Sequence, residues 1–476
     1  MFEPAEEYRL VAELFLRLLA LIYLVAFLSL AVQITGLVGE HGVLPVRDLL
    51  PAIEERFGAR RWLVFPSLVW LDASDTALIA LSLVGAVFAL VLLLGWWRRL
   101  ALTVLLACYL SLYHAGQTFL NFQWDYLLLE SGFLAIFLVH GGRWVIWLYR
   151  WLLFRLRFLS GASKLLSGDP AWSGLAAVGL YFEVQPLPHS GAWFAHQLPA
   201  WLHQFGTGAT LFVELVVPFM MFLPRGPRFF AAWMTIGLQV LIIFTSNHSF
   251  ANLMTIVLCL FLFDDKAVAR ILPAALVSRL TQPRKAVSRG MPVALAGFVM
   301  TAIVSVSLIL MWEMFAQQRV GGVLGNTVNH VRPFRLVNNY HVFPTMKTER
   351  VEVIIEGSSD GLVWHPYEFP DKPGDPARRP RFITPHQPRL DWMLWFLPMG
   401  HPVNNAWYEG LIAGLRGNAP GVVHLLAHNP FPDAPPRHLR ASAWRYRFSD
   451  PDTRATTGAW WTREFLGPFP VPAPRP

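Results

Sequence analysis

Cysteine and charge are both scarce in this sequence. The chain has only two cysteines, Cys108 and Cys259, and each lies inside an apolar run. A disulfide framework and a CxxC redox or zinc motif are therefore excluded. Charged residues make up 15% of the 476 residues, against 54% hydrophobic ones, and the mean hydropathy is +0.42. So apolar a chain is typical of a polytopic membrane protein rather than of a soluble one.

Sequence signatures of catalysis and metal binding are also few. There is no HExxH motif, no P-loop and no Rossmann fingerprint. His196 and His203 are spaced by seven and share a helix face, but no third ligand is placed with them. We therefore predict no metal site. We favour a non-enzymatic protein that is not itself a lipase, while the question of catalysis stays open.

Long apolar runs, in contrast, are abundant. A helix needs about 20 apolar residues to cross a bilayer, and shorter runs can borrow from their flanks or tilt. The sequence therefore predicts an all-α polytopic membrane bundle of about nine transmembrane helices. The runs lie at roughly 11–37, 76–96, 99–115, 126–140, 144–161, 207–223, 228–245, 249–263 and 291–315.

Lysine and arginine are distributed unevenly among the connections between these runs. The second, fourth, sixth and eighth connections carry them, whereas the short connections at 116–125 and 246–248 carry none. By the positive-inside rule the basic connections and the N-terminus are cytoplasmic. The loops 38–75 and 162–206, and everything after 318, then lie on the exported side. We expect a multi-pass protein of the inner (cell) membrane, in which the net charge of +8 reflects orientation in the bilayer and not nucleic-acid binding.

The composition changes after residue 318, which divides the chain into a transmembrane domain, 1–318, and a C-terminal domain, 319–476. The second part has no spanning run. The stretch 351–369 alternates in polarity around a Ser-Asp-Gly turn and predicts a β-hairpin. The stretch 437–450 is strand-like, and the proline-rich tail GPFPVPAPRP (467–476) is predicted to be disordered or to form polyproline II. We expect a β-rich extramembrane domain on the periplasmic, extracytoplasmic side.

Several charged residues fall within predicted spans, where an unpaired charge is costly. Arg150, Arg157 and Lys164 lie on one helix face at intervals of seven, and Arg157 is expected to pair with Glu130 or Glu214. Two interpretations stay open: buried ion pairs that fix the helices, or contacts to a bound ligand. The predicted intramembrane polar cluster comprises Asp125, Glu130, Arg155, Arg157, Lys164 and Glu214.

Histidines and mixed polar loops supply the remaining candidate site residues. His114 and His248 lie at exported helix ends and could line a polar cavity with Lys164, although single histidines there are commonly interfacial. Two loops of the C-terminal domain combine histidine, asparagine, aspartate and aromatic residues, as recognition loops do, or they are turns that fix this domain to the bundle. The client-recognition candidates are His386, Arg389, Asp391, Trp392, His428 and Asn429.

Motifs along nearly the whole chain resemble one known family. They include GEHGVLP (39–45), FQWDYLLLESGFLAIF (122–137), FLSGASKLLSGDPAW (158–172), TPHQPRLDW (384–392) and AHNPFPD (427–433). This set is similar to the lipase maturation factors. The resemblance implies a multispanning protein whose C-terminal domain faces the secretory compartment and helps secreted lipases to reach their active fold. It implies an exported client, such as a lipase, as partner besides the lipid bilayer.

A shorter and more distant resemblance concerns Lys164. The pattern F-x-x-G-x-x-K-L at 158–165 is similar to the vitamin K-dependent γ-carboxylases, in which a lysine at the matching place acts as a base on a reduced quinone. Those enzymes have two consecutive lysines where this chain has Ser163-Lys164. The resemblance makes Lys164 a candidate catalytic residue. Its position near a membrane edge also fits an interfacial anchor, or an ion pair with Asp169 or Glu183.

Two functional hypotheses follow. The first is a membrane maturation factor without a cofactor, whose exported surface binds a secreted client. The alternative is a membrane-embedded enzyme or redox protein that acts on a quinone or lipid near Lys164.

Overall fold

Helices form most of the first two thirds of the chain. The computed structural model describes residues 6–139, 142–281, 292–400 and 405–472. The described residues do not include three basic residues of the eighth connection, Arg284, Lys285 and Arg289, or the last four residues of the tail. The helices up to residue 316 are α1 (Arg9–Ala31), α2 (Ile34–Val38), α3 (Val46–Phe57), α4 (Arg61–Val64), α5 (Asp75–Leu94), α6 (Arg98–Ala115), α7 (Gln123–Leu138), α8 (Arg143–Leu166), α9 (Pro170–Ser173), α10 (Ala177–Val184), α11 (Ser190–His196), α12 (Ala200–Leu215), α13 (Val217–Met220), α14 (Arg225–Ile243), α15 (Ala251–Leu258), α16 (Asp265–Ile271), α17 (Ala274–Thr281) and α18 (Val293–Ala316).

Four of these helices, among the residues that the structure describes, are long and apolar enough to cross a membrane. They are α1, α5, α14 and α18. The prediction of about nine such helices was wrong. The other runs are helical but shorter, as α7 is, or rich in cations, as α8 is, and the run 207–223 breaks near Pro218 into α12 and α13. The apolar runs gave too high a number because α7 has only 16 residues and α8 carries five cations.

Helix α1 occupies the centre of the bundle. It packs most extensively on α5 and also contacts α7, α15, α16 and α17. The approach to α5 is close, because a Cβ atom on Gly85 would lie 2.3 Å from the Phe27 ring. Ser74 caps the N-terminus of α5 by accepting the amide of Ala77, and Gly95 ends it in the left-handed conformation. Local capping and close packing therefore both fix this pair.

The region after residue 318 (residues 319–472, the C-terminal region) combines a sheet with short helices. Its sheet is antiparallel, with the strands in the order β2 (His365–Pro366), β1 (Arg350–Ser358), β3 (His438–Phe448) and β4 (Trp461–Phe469). Strand β4 includes residues 467–469, the first three of the proline-rich tail. The β1–β2 hairpin and β3 correspond to the strands expected at 351–369 and 437–450. The elements are α19 (Gly322–Val331), β1 (Arg350–Ser358), β2 (His365–Pro366), α20 (Arg389–Leu394), α21 (Ala406–Arg416), α22 (Pro420–Val423), β3 (His438–Phe448), α23 (Pro451–Thr457) and β4 (Trp461–Phe469).

The C-terminal region covers one end of the helical bundle. It contacts the C-terminal ends of α1, α6 and α8, the N-terminal end of α7, and the turn that precedes α15. At the opposite end the helices tie to one another: Arg98 pairs with Glu13, and the Asp265 carboxylate accepts the amides of Leu10 and Val11. The basic connections between the apolar runs, with Arg98 and Arg225, lie at this second end.

Candidate functional site: buried ionic contacts between the bundle and the C-terminal region

The six predicted intramembrane charged residues form three separate groups rather than one cluster. Each group pairs an acid with a cation, and each also contacts a residue beyond 330. None of the six is more than 5% exposed. We call these the docking groups and name each by its acid: the Glu130 group, the Asp125 group and the Glu214 group.

The Glu130 group joins α7 and α8 to the segment that follows α19. Arg155 pairs with Glu130, and its other terminal nitrogen donates to the carbonyl oxygen of Asn338 at 2.8 Å. The second Glu130 oxygen accepts three hydrogen bonds: from the Asn338 amide at 3.0 Å, from its side-chain nitrogen at 3.1 Å, and from the Tyr340 hydroxyl at 2.8 Å. This carboxylate is therefore fully engaged by protein.

The Asp125 group joins the start of α7 to α20. The Arg389 guanidinium binds Asp125 in a bidentate arrangement at 2.7 and 2.8 Å, the geometry in which arginine binds carboxylates most strongly. The Tyr109 hydroxyl donates to the same carboxylate at 2.6 Å. Arg389 also donates to the carbonyl oxygen of Phe119 at 3.1 Å. A residue of the C-terminal region thus supplies the only cation bound to this acid within the described chain.

The Glu214 group joins α8, α12 and the segment after Tyr340. Arg157 lies 2.6 Å from one Glu214 oxygen and Lys164 lies 2.8 Å from the other. Lys164 also donates to the carbonyl oxygens of Val342 at 2.7 Å and Ser160 at 3.2 Å. Gly161 permits this meeting of helices, since its Cβ would lie 2.8 Å from the Glu214 Cβ.

The candidate catalytic residue Lys164 is therefore surrounded by protein groups. The Lys164 ammonium donates to the carbonyl oxygens of Val342 and Ser160, its ion pair is with Glu214 and not with Asp169 or Glu183, and the nitrogen lies 5.0 Å from the centre of the Trp172 ring. A lysine ammonium has three donors and no acceptor. This set of contacts can anchor a segment, and it offers no free donor to a ligand in this conformation.

The segment 386–391 adds further contacts with the end of α1. Ser29 Oγ lies 2.9 Å from His386 Nδ1 and accepts the amide of Gln387 at 3.1 Å. The Gln33 side chain accepts the amide of Arg389 at 2.9 Å and donates to the carbonyl oxygen of Gln387 at 2.8 Å. Ser29 and Gln33 therefore bind backbone that would otherwise be buried without partners.

Four of the client-recognition candidates lie in this contact and not on the surface. Arg389, Asp391 and Trp392 are at most 3% exposed. Asp391 accepts the amides of Asp371 and Lys372 at 2.7 and 2.8 Å. Burial raises the pKa of Asp391 from 3.8 to about 6, whereas burial lowers the pKa of His386.

The other two client-recognition candidates lie near the surface. His428 is exposed, and its backbone pairs with Glu368. Asn429 donates to Asn418 at 2.9 Å and accepts the amide of Phe431 at 3.0 Å, which makes it a turn residue.

The two histidines expected to line a cavity have different neighbours. His114 Nε2 lies 2.8 Å from the carbonyl oxygen of Pro333. His248 Nε2 lies 2.5 Å from the Tyr181 hydroxyl, and its ring contacts Phe343. Burial lowers the pKa of His248 to about 4, so its imidazole is neutral at pH 7. Each histidine thus contacts a residue of the C-terminal region, Pro333 for His114 and Phe343 for His248, rather than Lys164.

Some interface residues were missed by sequence reasoning. Arg350, Glu352 and Lys372 form a buried ionic triad in which Arg350 and Lys372 lie 2.6 and 2.9 Å from the two Glu352 oxygens. Arg350 also donates to the carbonyl oxygen of Pro186 at 2.9 Å and so holds the loop before α11. The alternating pattern of β1 predicted the strand, but it did not indicate which charged residues face inward. Ser29 and Gln33 could have been found as polar residues in an apolar run.

The stretch GSSDG at 357–361 fits the spacing G-x-S-x-G of serine hydrolases. In those enzymes the serine lies on a strand-to-helix turn. Here the central residue, Ser359, follows β1 in a hairpin, and Ser358 and Asp360 bond each other and the turn amides. The stretch is a β-turn. Among the described residues, no group of three histidine, cysteine, aspartate or glutamate side chains could hold a metal ion.

Comparison with known proteins gives a consistent result over both regions. A family model described as the lipase maturation factor transmembrane domain matches residues 10–270. A second, described as the lipase maturation factor C-terminal domain, matches residues 336–472. No solved structure matches the chain.

Individual relatives match along the same extent. Lipase maturation factor 1 of Bos taurus is 35% identical, with 97% of this chain and 88% of that protein covered. Lipase maturation factor 1 of Homo sapiens is 35% identical, with 95% and 86% covered. Lipase maturation factor 2 of Xenopus tropicalis is 33% identical, with 97% and 82% covered.

Proposed function

This chain belongs to the lipase maturation factor family, and from that premise we propose that it is a membrane maturation factor that assists the folding of an exported lipase. The observation that carries this proposal is the extent of the match. The relatives align across both the helical bundle and the C-terminal region, so the match includes both of the regions that the docking groups join.

The proposed working surface is the exported face. It consists of the C-terminal region, which the docking groups hold to the bundle, and of the loops 38–75 and 162–206, the second of which Arg350 contacts at Pro186. We propose an inner-membrane location with a cytoplasmic N-terminus, because the basic connections lie at the bundle end opposite to the C-terminal region. A rigid face is an advantage for client binding, since less ordering entropy is lost on association.

The alternative function is an enzyme or redox protein that acts on a quinone or lipid near Lys164. The contacts of Lys164 support a structural role instead, because its three donors already face Glu214, Val342 and Ser160. The maturation factor is therefore proposed to act without a bound cofactor.

The function is tested by deleting the gene in its host and measuring both the amount and the specific activity of each exported lipase. The proposal predicts that an exported lipase is still synthesised but loses specific activity, and that the wild-type gene restores it. Unchanged amounts and activities of every exported lipase would contradict the proposal. Restoration by a gene without codons 319–476 would contradict the role of the C-terminal region.

A further inference from the structure

An open groove of about 620 Å³ lies between α11 and α23, away from the docking groups. Its walls are aromatic: Trp193 and Phe194 of α11 on one side and Trp460 on the other. Trp193 is fixed by a hydrogen bond from its indole nitrogen to the carbonyl oxygen of Ser449 at 2.9 Å. We call this the Trp460 groove.

A cation sits inside the Trp460 groove. The guanidinium carbon of Arg454 lies 3.7 Å from the centre of the Trp460 ring, 4.5 Å from that of Trp193 and 5.4 Å from that of Phe194. Such stacking uses the faces of the guanidinium and leaves its N–H donors, which lie in the plane, available. Over the described part of the chain, no carboxylate forms a salt bridge with Arg454 and no side-chain hydrogen bond from it is present.

A second cation lies nearby. The guanidinium carbon of Arg379 is 5.8 Å from the same Trp460 ring, and its hydrogen bond goes to the Ser190 hydroxyl at 3.3 Å, a neutral acceptor. In the described residues Arg379 has no carboxylate partner either. The groove therefore holds one arginine without a salt-bridged carboxylate and has a second beside it, an arrangement that favours an anionic ligand.

One wall of the groove lies against the end of a candidate membrane span. His189, next to α11, lies 3.1 Å from the carbonyl oxygen of Ile243, the last residue of α14, which is long and apolar enough to cross a membrane. A Cβ on Gly191 would overlap the carbonyl oxygen of Phe244. Helix α11 thus rests on the end of a span, where lipid headgroups are found.

Large apolar side chains in and after α11 and at the end of α14 are exposed. Phe194 lines the groove and is itself 56% exposed, and Leu198 and Trp201 are 47% and 64% exposed. Phe244, at the end of α14, is 68% exposed. Exposed tryptophan is typical of the membrane interface. A ligand in the groove would therefore meet cations and apolar surface together.

From these observations we propose that the Trp460 groove binds the headgroup of an anionic phospholipid, with Arg454 facing the phosphate and Phe194, Leu198 and Trp201 beside the acyl chains. The inference depends on the membrane setting of the chain and not on its client. The lipid-binding proposal can therefore fail while the proposed maturation function is supported, and the maturation function can fail while lipid binding is supported.

The test measures lipid retention by the full chain. The protein is reconstituted in nanodiscs of phosphatidylcholine mixed with phosphatidylglycerol, extracted in mild detergent, and examined by native mass spectrometry for bound lipid. Wild type should retain phosphatidylglycerol in preference. Arg454→Gln should lower that preference about fivefold, the effect of one cation near an anionic surface. Equal retention of both lipids by wild type, or an unchanged preference in Arg454→Gln, would overturn the proposal.

Two further variants distinguish a loss of lipid binding from unfolding of the protein. Arg463→Gln removes an arginine stacked 4.7 Å from the Trp444 ring, outside the groove, and should leave lipid preference unchanged. Ala455→Glu places a negative charge at the exposed groove wall without touching the aromatic stack, and should lower phosphatidylglycerol retention even if Arg454→Gln is unstable. An effect of Arg463→Gln as large as that of the groove variants would overturn the assignment.

Two further arms distinguish the source of the anion. Water-soluble glycerol phosphate should bind much more weakly than the lipid, because it lacks the acyl chains that Phe194 and Trp201 would contact. An acidic peptide should not displace phosphatidylglycerol. Binding of glycerol phosphate as tight as that of lipid, or displacement by the peptide, would mean that the groove serves a soluble anion or a polypeptide instead.

Discussion

The cations of the docking groups and those of the Trp460 groove differ in pairing. Arg389 is 1% exposed and holds a carboxylate with two hydrogen bonds, whereas Arg454 is partly exposed and stacks on rings without an acid. An unpaired charge is too costly to bury, whereas a partly exposed charge is solvated and can remain without a protein partner until a ligand binds. The comparison separates charges that hold this protein together from charges that are free to bind.

The largest effect is expected from the Asp125 group. Arg389→Ala leaves Asp125 buried without its cation, which should cost about 3–5 kcal/mol of folding free energy. The C-terminal region should then undock and become sensitive to protease. Limited proteolysis and thermal unfolding in detergent measure both consequences. A variant with wild-type stability and protease resistance would mean that the docking groups do not hold the two regions together.

A smaller effect is expected at Lys164. Lys164→Met removes the link from Glu214 to the Val342 carbonyl, but Arg157 still pairs with Glu214. We expect a loss of about 1–3 kcal/mol, the cost of a buried charged hydrogen bond, with lipase maturation falling only as folded protein falls. A stable, well-folded Lys164→Met protein that no longer matures lipase would instead favour the quinone or lipid enzyme.

The acid Asp391 gives a pH-dependent effect of about 1 kcal/mol. Its pKa is raised from 3.8 to about 6 in the folded state, so the folded protein binds this proton more tightly than the unfolded chain. The stability from this group is therefore greater at pH 5 than at pH 7 and is lost as the pH rises through about 6.

The matched variant for this prediction is Asp391→Asn, which can still accept the amides of Asp371 and Lys372. Thermal unfolding of both proteins across pH 4.5–7.5 isolates the group, because His386 titrates with the opposite sign in both. Parallel curves for the two proteins would contradict the predicted titration.

The smallest effect is expected for a surface pair. Arg440 lies 2.8 Å from Glu356, with their side chains 49% and 17% exposed. Arg440→Ala should cost about 0–1 kcal/mol, since exposed ion pairs contribute little. Thermal unfolding beside Arg389→Ala provides the comparison. Equal losses from the two variants would show that burial does not separate the two classes of charge.

Part of this architecture could be predicted from the sequence. Charge distribution separated the two ends of the bundle, and alternation located the β1–β2 hairpin and β3. The sequence predicted Glu130 or Glu214 as the ion-pair partner of Arg157, and in the structure Arg157 pairs with Glu214. These features are local in sequence or follow from the cost of burying charge.

The rest depends on contacts between distant residues. The number of helices long and apolar enough to cross a membrane was overestimated because an apolar run in the sequence does not fix where its helix begins and ends: α7 has 16 residues, and the run 207–223 divides into α12 and α13. The role of Arg389 could not be predicted either. Its partner, Asp125, lies 264 residues earlier in the chain. The motif that contains Arg389 was equally compatible with an exposed recognition loop and with a turn that fixes the C-terminal domain to the bundle.

The most direct test of the account is a double-mutant cycle on Asp125 and Arg389. The stabilities of wild type, Asp125→Asn, Arg389→Gln and the double variant are measured by unfolding in the same detergent. If this pair docks the C-terminal region onto the bundle, the single losses will not add, and the coupling energy will reach about 1.5–3 kcal/mol. Additive losses, with a coupling energy near zero, would contradict the central claim that buried charges of the helical bundle join it to the C-terminal region.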